Sequence, residues 1–275
     1  MKIIGIPALV GQYDNYIWIV HESHQAWVID PGESAQVIDY LHKNKLELQA
    51  ILITHFHHDH VKGIPKLKQA FPNTEVIGSE KTENQSITRS VKQGDNLVLT
   101  ANFTLNVLDT PGHTKDHISY YNDQVLFCGD TLFTGGCGKK FCGTFKEFTQ
   151  SILTLRALPD KTEFYCAHEY TESNLKFAYL IDPKNSALIA RIKRSHIDYP
   201  KKHLGPQSTL ADEKASNPFL RFDQSEIKHQ LLERGAKDTP ESLFETLRLW
   251  KDELDQSGQL DKQSFKSLQN TLLKT

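Results

Sequence analysis

Residues 52–64 read LITHFHHDHVKGI, with four histidines and an aspartate inside six positions behind an apolar run. Such side chains are costly to bury, and an apolar setting makes sense for them only if something offsets the desolvation. In an extended or tightly turned segment alternate residues share a side, so His55 and His57 converge while His58 points away. Asp59 and His60 follow as the chain turns into a helix expected through VKGIPKLKQAF. The alternative reading, a solvated histidine run, fits poorly with the apolar context and with Gly63 and Pro65 just beyond.

Other candidate ligands stand at the ends of β-type runs beside small residues: His113 in DTPGHTKDH, Asp130 in FCGDTLF and His168 in CAHEYT. Loops at one sheet edge are where a rigid scaffold can aim side chains at a common point. Five histidines and two carboxylates suffice for two metal ions sharing a carboxylate, and imidazole with carboxylate suits Zn²⁺, Fe or Mn²⁺. Such a pair activates water and polarises a carbonyl, which is hydrolytic chemistry. A lone histidine at a strand end is ordinarily just hydrogen-bonded, and His21, His24, His42, His117, His196, His203 and His229 are read that way.

The chain has 275 residues, 38% hydrophobic and 24% charged, which suits a globular protein with one large domain and a smaller one. Lys and Arg total 32 against 34 Asp and Glu, so no overall field favours nucleic acid or an acidic membrane. No apolar run approaches the ~20 residues of a membrane span, and the opening stretch, broken by Pro7 and Gly11, carries no export-style cleavage site. Cys128, Cys137, Cys142 and Cys166 are too few for a disulfide scaffold and read as reduced thiols of a cytoplasmic protein.

Short strand-like runs (16–20, 26–30, 50–54, 74–78, 103–109, 117–121, 124–128 and 163–167) alternate with amphipathic helical patterns. One helix carries Val37, Ile38 and Leu41 on a face, another Phe148, Ile152 and Leu155. After about residue 170 the strand-like runs stop. PESLFETLRLWKDELDQ (240–256) opens with Pro and an acid and carries Leu243, Leu247, Trp250 and Leu254 on one stripe. Residues 200–219, with three prolines, read as an irregular connection. The expected division is 1–170 as a metal-binding catalytic domain and 171–275 as a helical domain. Residues 256–275 form an extra helix with Phe265, Leu268, Leu272 and Leu273 on a stripe that either packs inward or mediates self-association.

On these residues the chain resembles the metallo-β-lactamase fold superfamily: THFHHDH fits its T-H-x-H-x-D-H signature, with PGHT and GDTLF in the expected later places. GDTLFTGGCGK, HEYTESNLKFA and NPFLR are more specifically similar to glyoxalase II, the hydroxyacylglutathione hydrolases, over residues 3–255. The resemblance implies an α/β fold, an αββα sandwich with metals at one edge and a smaller C-terminal α-helical domain. It assigns His55, His57 and His113 to one divalent ion, Asp59, His60 and His168 to a second, and Asp130 to a bridge, with zinc expected first and iron or manganese as alternatives. The implied reaction is hydrolysis of S-(2-hydroxyacyl)glutathione, typically S-D-lactoylglutathione, to glutathione and a 2-hydroxy acid in methylglyoxal detoxification. Asp59 would orient the attacking hydroxide.

By the same resemblance Lys139, Tyr170, Arg248 and Lys251 hold the glutathione, and Phe141 stands where some members have tyrosine. Arg248 and Lys251, three apart, share a helix face suited to gripping one carboxylate; unaided, that face reads as ordinary and solvated. A monomer with no nucleic-acid or membrane partner is expected. The rivals are a lactonase, which needs no peptide-binding cations, and a persulfide dioxygenase with one iron on His55, His113 and Asp130, which leaves the second ligand set unused. A non-catalytic metal-binding or nucleic-acid module is the rival outside enzymes.

Overall fold

A computed structural model of the chain describes residues 1–196, 199–200 and 207–274. One six-stranded sheet runs in sequence order: β1 (Lys2–Ala8), β2 (Asn15–Glu22), β3 (Gln25–Ile29), β4 (Glu47–Leu52), β5 (Glu75–Ser79) and β6 (Arg89–Val91). Its first three strands are antiparallel and the rest parallel. The second sheet is built from β7 (Asn96–Thr100), β8 (Phe103–Asp109), β9 (Ile118–Tyr121) and β10 (Val125–Gly129). After a small hairpin, β11 (Leu132–Phe133) and β12 (Gly136–Cys137), it is completed by β13 (Glu163–Cys166) and β14 (Ser208–Thr209), in the order β14-β13-β10-β9-β8-β7.

The sheets pack face to face because their strands alternate apolar side chains at period two. In β2, Tyr16, Trp18 and Val20 point into the inter-sheet core with Trp27, Leu105, Val107, Tyr120 and Phe127, while Ile17 and Ile19 face the other way. That outer face is covered by α1 (Ala35–Lys43), with α2 (His58–Val61) and α3 (Ile64–Ala70) following the histidine run. The outer face of the second sheet is covered by α4 (Phe145–Arg156), whose Phe148, Ile152 and Leu155 are buried as the pattern requires. The result is the expected αββα sandwich.

The helices after residue 170 are α5 (Thr171–Ile181), α6 (Ser186–Arg194), α7 (Leu210–Ser216), α8 (Ser225–Glu233), α9 (Pro240–Gln256) and α10 (Phe265–Leu273). α5, α7, α8 and α9 join the core of the second sheet, α9 through Leu243, Phe244 and Leu247, together with Phe219 from the turn Pro218–Leu220, whereas α6 and α10 pack with α5 in a separate cluster. Asn217 of NPFLR fastens the β11–β12 hairpin, its Nδ2 donating to the carbonyls of Phe133 (3.2 Å) and Gly136 (3.0 Å). The Glu213 carboxylate, paired with Arg191, accepts from Gly135 N at 3.0 Å.

Three expectations need correction. The 200–219 connection is not irregular throughout: Thr209 caps α7 by accepting from Asp212 N, and β14 pairs with β13, although 201–206 and with them His203 lie outside the described residues. The helix after His60 is broken at Lys62–Gly63, because Gly63 N donates to Pro31 O at 2.8 Å in a contact too close for a Cβ. In α10, Phe265, Leu268 and Leu272 pack on α5 and α6, whereas Leu273 is 59% exposed. No helix among the described residues is long and apolar enough to cross a membrane.

Candidate metal centre

Strand direction brings the site together. β3 and β4 are parallel, and so are β10 and β13, so the segments leaving them emerge at matching edges. β4 delivers His55 and His57, β10 delivers Asp130, β13 delivers His168, and the β8–β9 loop supplies His113. His60 lies in α2, with Asp59 beside it, while His58 is exposed.

The seven side chains form two adjacent groups, His55, His57, His113 and Asp130 in one and Asp59, His60 and His168 in the other. His57 Nδ1 lies 3.0 Å from the Nε2 atoms of both His55 and His113. Ligand nitrogens on one tetrahedral ion are about 3.3 Å apart for metal–nitrogen bonds of ~2.05 Å, so these three nitrogens are close enough together to share one ion. Asp130 Oδ2 is 3.3 Å from His113 Nε2, and its Oδ1 is 3.2 Å from His168 Nε2 and 3.5 Å from His60 Nε2. One carboxylate thus turns an oxygen to each group. Asp59 Oδ2 is 3.4 Å from His168 Nε2 and 3.5 Å from His60 Nε2.

The surrounding hydrogen bonds fix which ring atoms face inward. His113 and His168 donate from Nδ1 to the carbonyls of Lys139 and Tyr13, each at 2.7 Å, leaving the Nε2 lone pairs for a ligand role. Thr54 Oγ1 is 3.1 Å from His55 Nδ1 and donates to Asp30 Oδ2 at 2.7 Å, and the same Asp30 oxygen lies 3.1 Å from His60 Nδ1. Asn15 Nδ2 donates to Asp59 Oδ2 at 3.1 Å. Gly138 is required as glycine: a Cβ would stand 2.0 Å from Asp130 O and 3.0 Å from His113 Nδ1.

Burial holds His55 well below the ordinary imidazole value, lowers His57 and brings His113 to about 4, so these rings are neutral donors at pH 7. For His60 burial also pulls downward, but the carboxylates of Asp130, Asp30 and Asp59 outweigh it and hold the ring at about 9. For Asp130 burial raises the value, and His168, His60 and His113 overturn that to hold it well below the carboxylate range. The field at this point therefore favours positive charge. Among the described residues His60 Nε2 and Asp130 Oδ1 are buried with no hydrogen-bond partner, which a divalent cation on these donors would satisfy.

A cavity of about 480 Å³ opens over both groups. Lys139, Phe141, Tyr170, Arg248 and Lys251, the residues expected to hold substrate, all line it. Tyr170 stacks on His168 with ring centroids 5.0 Å apart, and the exposed Phe141 ring stands edge-on to His57 and His113. The solvated-face reading of Arg248 and Lys251 is corrected: they are 2% and 3% exposed. Arg248 donates to Cys137 O at 2.9 Å and Asp252 Oδ1 at 3.1 Å, and Lys251 donates to Ser173 Oγ and Asp255. Sequence reasoning missed Asp30, Thr54 and Asn15 as supports, and Ser173, Asn174 and Asp255 as lining. His117 is the hydrogen-bonded core residue it was read as, its Nε2 accepting from Asp130 N at 3.1 Å.

A family model described as metallo-beta-lactamase superfamily matches residues 10–168, and one described as hydroxyacylglutathione hydrolase C-terminus matches 169–254. A hydroxyacylglutathione hydrolase of Hydrogenovibrio crunogenus is 41% identical over 267 residues, covering 95% of this chain and 98% of that protein. One from Aliivibrio salmonicida is 45% identical over 255 residues, covering 92% and 99%. Among solved structures, ETHE1 from Myxococcus xanthus aligns with TM-score 0.60 at 23% identity, over 90% of this chain and 98% of that one. The BLEG-1 B3 metallo-beta-lactamase also reaches 0.60 at 23%, over 80% and 99%. At that identity the structural likeness speaks to the fold alone.

Proposed function

The chain belongs to the hydroxyacylglutathione hydrolase family of the metallo-β-lactamase superfamily, and from that membership we infer that it is a thioester hydrolase cleaving S-(2-hydroxyacyl)glutathione to glutathione and a 2-hydroxy acid, S-D-lactoylglutathione being the expected substrate. The observation that carries the chemistry is Asp130, whose two oxygens face two histidine groups on the floor of a cavity with cations on its wall.

His55, His57, His113 and Asp130 would hold one divalent ion, and Asp59, His60 and His168 a second beside Asp130, with zinc first and iron or manganese as alternatives. When bound, such ions supply water activation at neutral pH and polarisation of the thioester carbonyl. Asp59, anchored by Asn15 at the cavity floor, orients the water that attacks the carbonyl carbon. The carbon–sulfur bond then breaks, the water's oxygen stays with the acid, its protons pass to solvent and to the departing glutathione thiolate, and so good a leaving group needs no strong general acid. Tyr170, whose phenol is pushed up by burial and by Asp130 and Asp59, stays protonated as a donor to the peptide. Lys139, Arg248 and Lys251 complement its carboxylates, and Phe141 offers only a ring face.

Residues 1–170 form the metal-binding unit in this reading and 171–275 the substrate-binding helical unit. Free Cys128, Cys137, Cys142 and Cys166 favour a reducing compartment, the cytoplasm. A monomer is favoured because the α10 stripe packs within the chain.

The test is steady-state hydrolysis of S-D-lactoylglutathione by protein of assayed metal content. Turnover with about two metals per chain, falling by about 10²-fold or more in Asp59→Asn, is expected. Bound metal without thioester turnover discards the substrate and leaves lactones and glutathione persulfide to be tried.

A further inference from the structure

α9 carries Arg248, Lys251, Asp252 and Asp255 at offsets of three, four and seven, so all four lie on one helical face. The two cations are almost wholly buried, and the two acids neutralise them from the same helix. The acids are not equivalent. Asp252 pairs with Arg248 and, unlike Asp255, is not among the residues that line the cavity. Asp255 does line it, placing one oxygen on Lys251 Nζ and the other 3.7 Å from Arg248 Nη2. A carboxylate of the chain itself therefore bridges the cation pair on the cavity wall.

We propose that Asp255 is an internal stand-in for the substrate's carboxylate, which an incoming glutathione thioester must displace from Lys251. The inference rests on the thioester-hydrolase reading above. Glutathione carries two carboxylates. The one on its glutamyl end sits beside an ammonium, so its charge is locally cancelled, whereas the glycine carboxylate stands alone and is the better match for an Arg–Lys pair. Asp255 is the carboxylate that keeps the buried Lys251 from standing unpaired, a costly state, and it adds a second, longer contact to Arg248, which Asp252 already pairs. The same contact competes with binding, so Asp255 sets the threshold a ligand must exceed. A carboxylate at the right distance from the thioester passes it, and a neutral thioester gains nothing from the exchange.

The test compares wild type, Asp255→Asn and Asp252→Asn by calorimetric titration with free glutathione and with glutathione esterified at its glycine carboxylate, and by steady-state kinetics on S-D-lactoylglutathione. Thermal unfolding of each variant reports that it is folded. Asp255→Asn is expected to bind glutathione more tightly by about three- to tenfold, the scale of one partly screened ion pair. KM should fall in proportion with kcat held, and the glycine ester should show no gain. Asp252→Asn, which loosens Arg248 without freeing Lys251, should not tighten binding. Weaker glutathione binding in a folded Asp255→Asn overturns the proposal, as does an equal gain for the ester. A wild type that turns the thioester over while Asp255→Asn binds no better overturns the role of Asp255 alone. A wild type that neither binds glutathione nor cleaves the thioester overturns the functional reading and this inference with it.

Discussion

Asp30 touches no cavity space, yet its carboxylate accepts from Thr54 N at 2.8 Å and from Thr54 Oγ1, and reaches His60 Nδ1. It therefore orients a ring in each metal group, His60 directly and His55 through the threonine. Replacing it by Asn keeps the volume but removes the charge and turns a donor toward groups that already donate. Metal affinity should fall about 10- to 100-fold, with turnover recovered at excess metal. Titration with chelator-buffered zinc measures this, and an unchanged affinity would reduce Asp30 to a packing residue. His55, His57, Asp59 and His60 were legible because histidine and aspartate at such density have no structural use, whereas the isolated His113, Asp130 and His168 were only candidates at strand ends until the family resemblance assigned them. Asp30 was not legible, since it reads as the last residue of the strand-like run 26–30. Arg248 and Lys251 read as solvated because what covers them, the Cys137 carbonyl and Ser173, is 111 and 78 residues away.

At the scale of elements, periodicity located the long, strongly patterned pieces and failed where pairing overrides propensity. β1 was missed because Gly5 and Pro7 interrupt it, and it survives as an edge strand, where a missing N–H costs little. β14 and the hairpin strands are two residues each and exist only through their partners. The α10 pattern was visible but its target was not. Its Gln269 side chain donates to the carbonyls of Ile192 (2.8 Å) and Ser195 (2.9 Å), closing the C-terminal end of α6. Truncation after Gln263 removes this cap and uncovers Leu175, Leu188 and Ile192. With roughly 1.5–3 kcal/mol per large buried apolar side chain as an upper scale, a loss of about 3 kcal/mol or more in urea unfolding is expected. Metal content should hold, because no ligand lies on α10; undiminished stability would mean that the stripe's burial contributes nothing.

For the whole molecule, the ligands divide between the two layers: His55, His57, Asp59 and His60 follow the first sheet, while His113, Asp130 and His168 come from the second. Bound ions would therefore tie the sheets together at one edge. The inter-sheet and outer cores contain none of these residues and close without them. Two consequences separate under chelation. The apoprotein should keep its far-UV circular dichroism at 25 °C, because the apolar cores remain. Its melting temperature should fall, because an ion that binds only the folded chain adds about 2.7 kcal/mol per site at a hundredfold excess over Kd. At roughly 2–4 °C per kcal/mol for a chain of this size, one site is worth about 5–10 °C. Scanning calorimetry before and after exhaustive chelation, then after returning zinc, measures both. An unchanged melting temperature would show that the seven side chains hold no metal in the folded state. Collapse of the circular dichroism at 25 °C would show instead that the sheets depend on the ions for their packing.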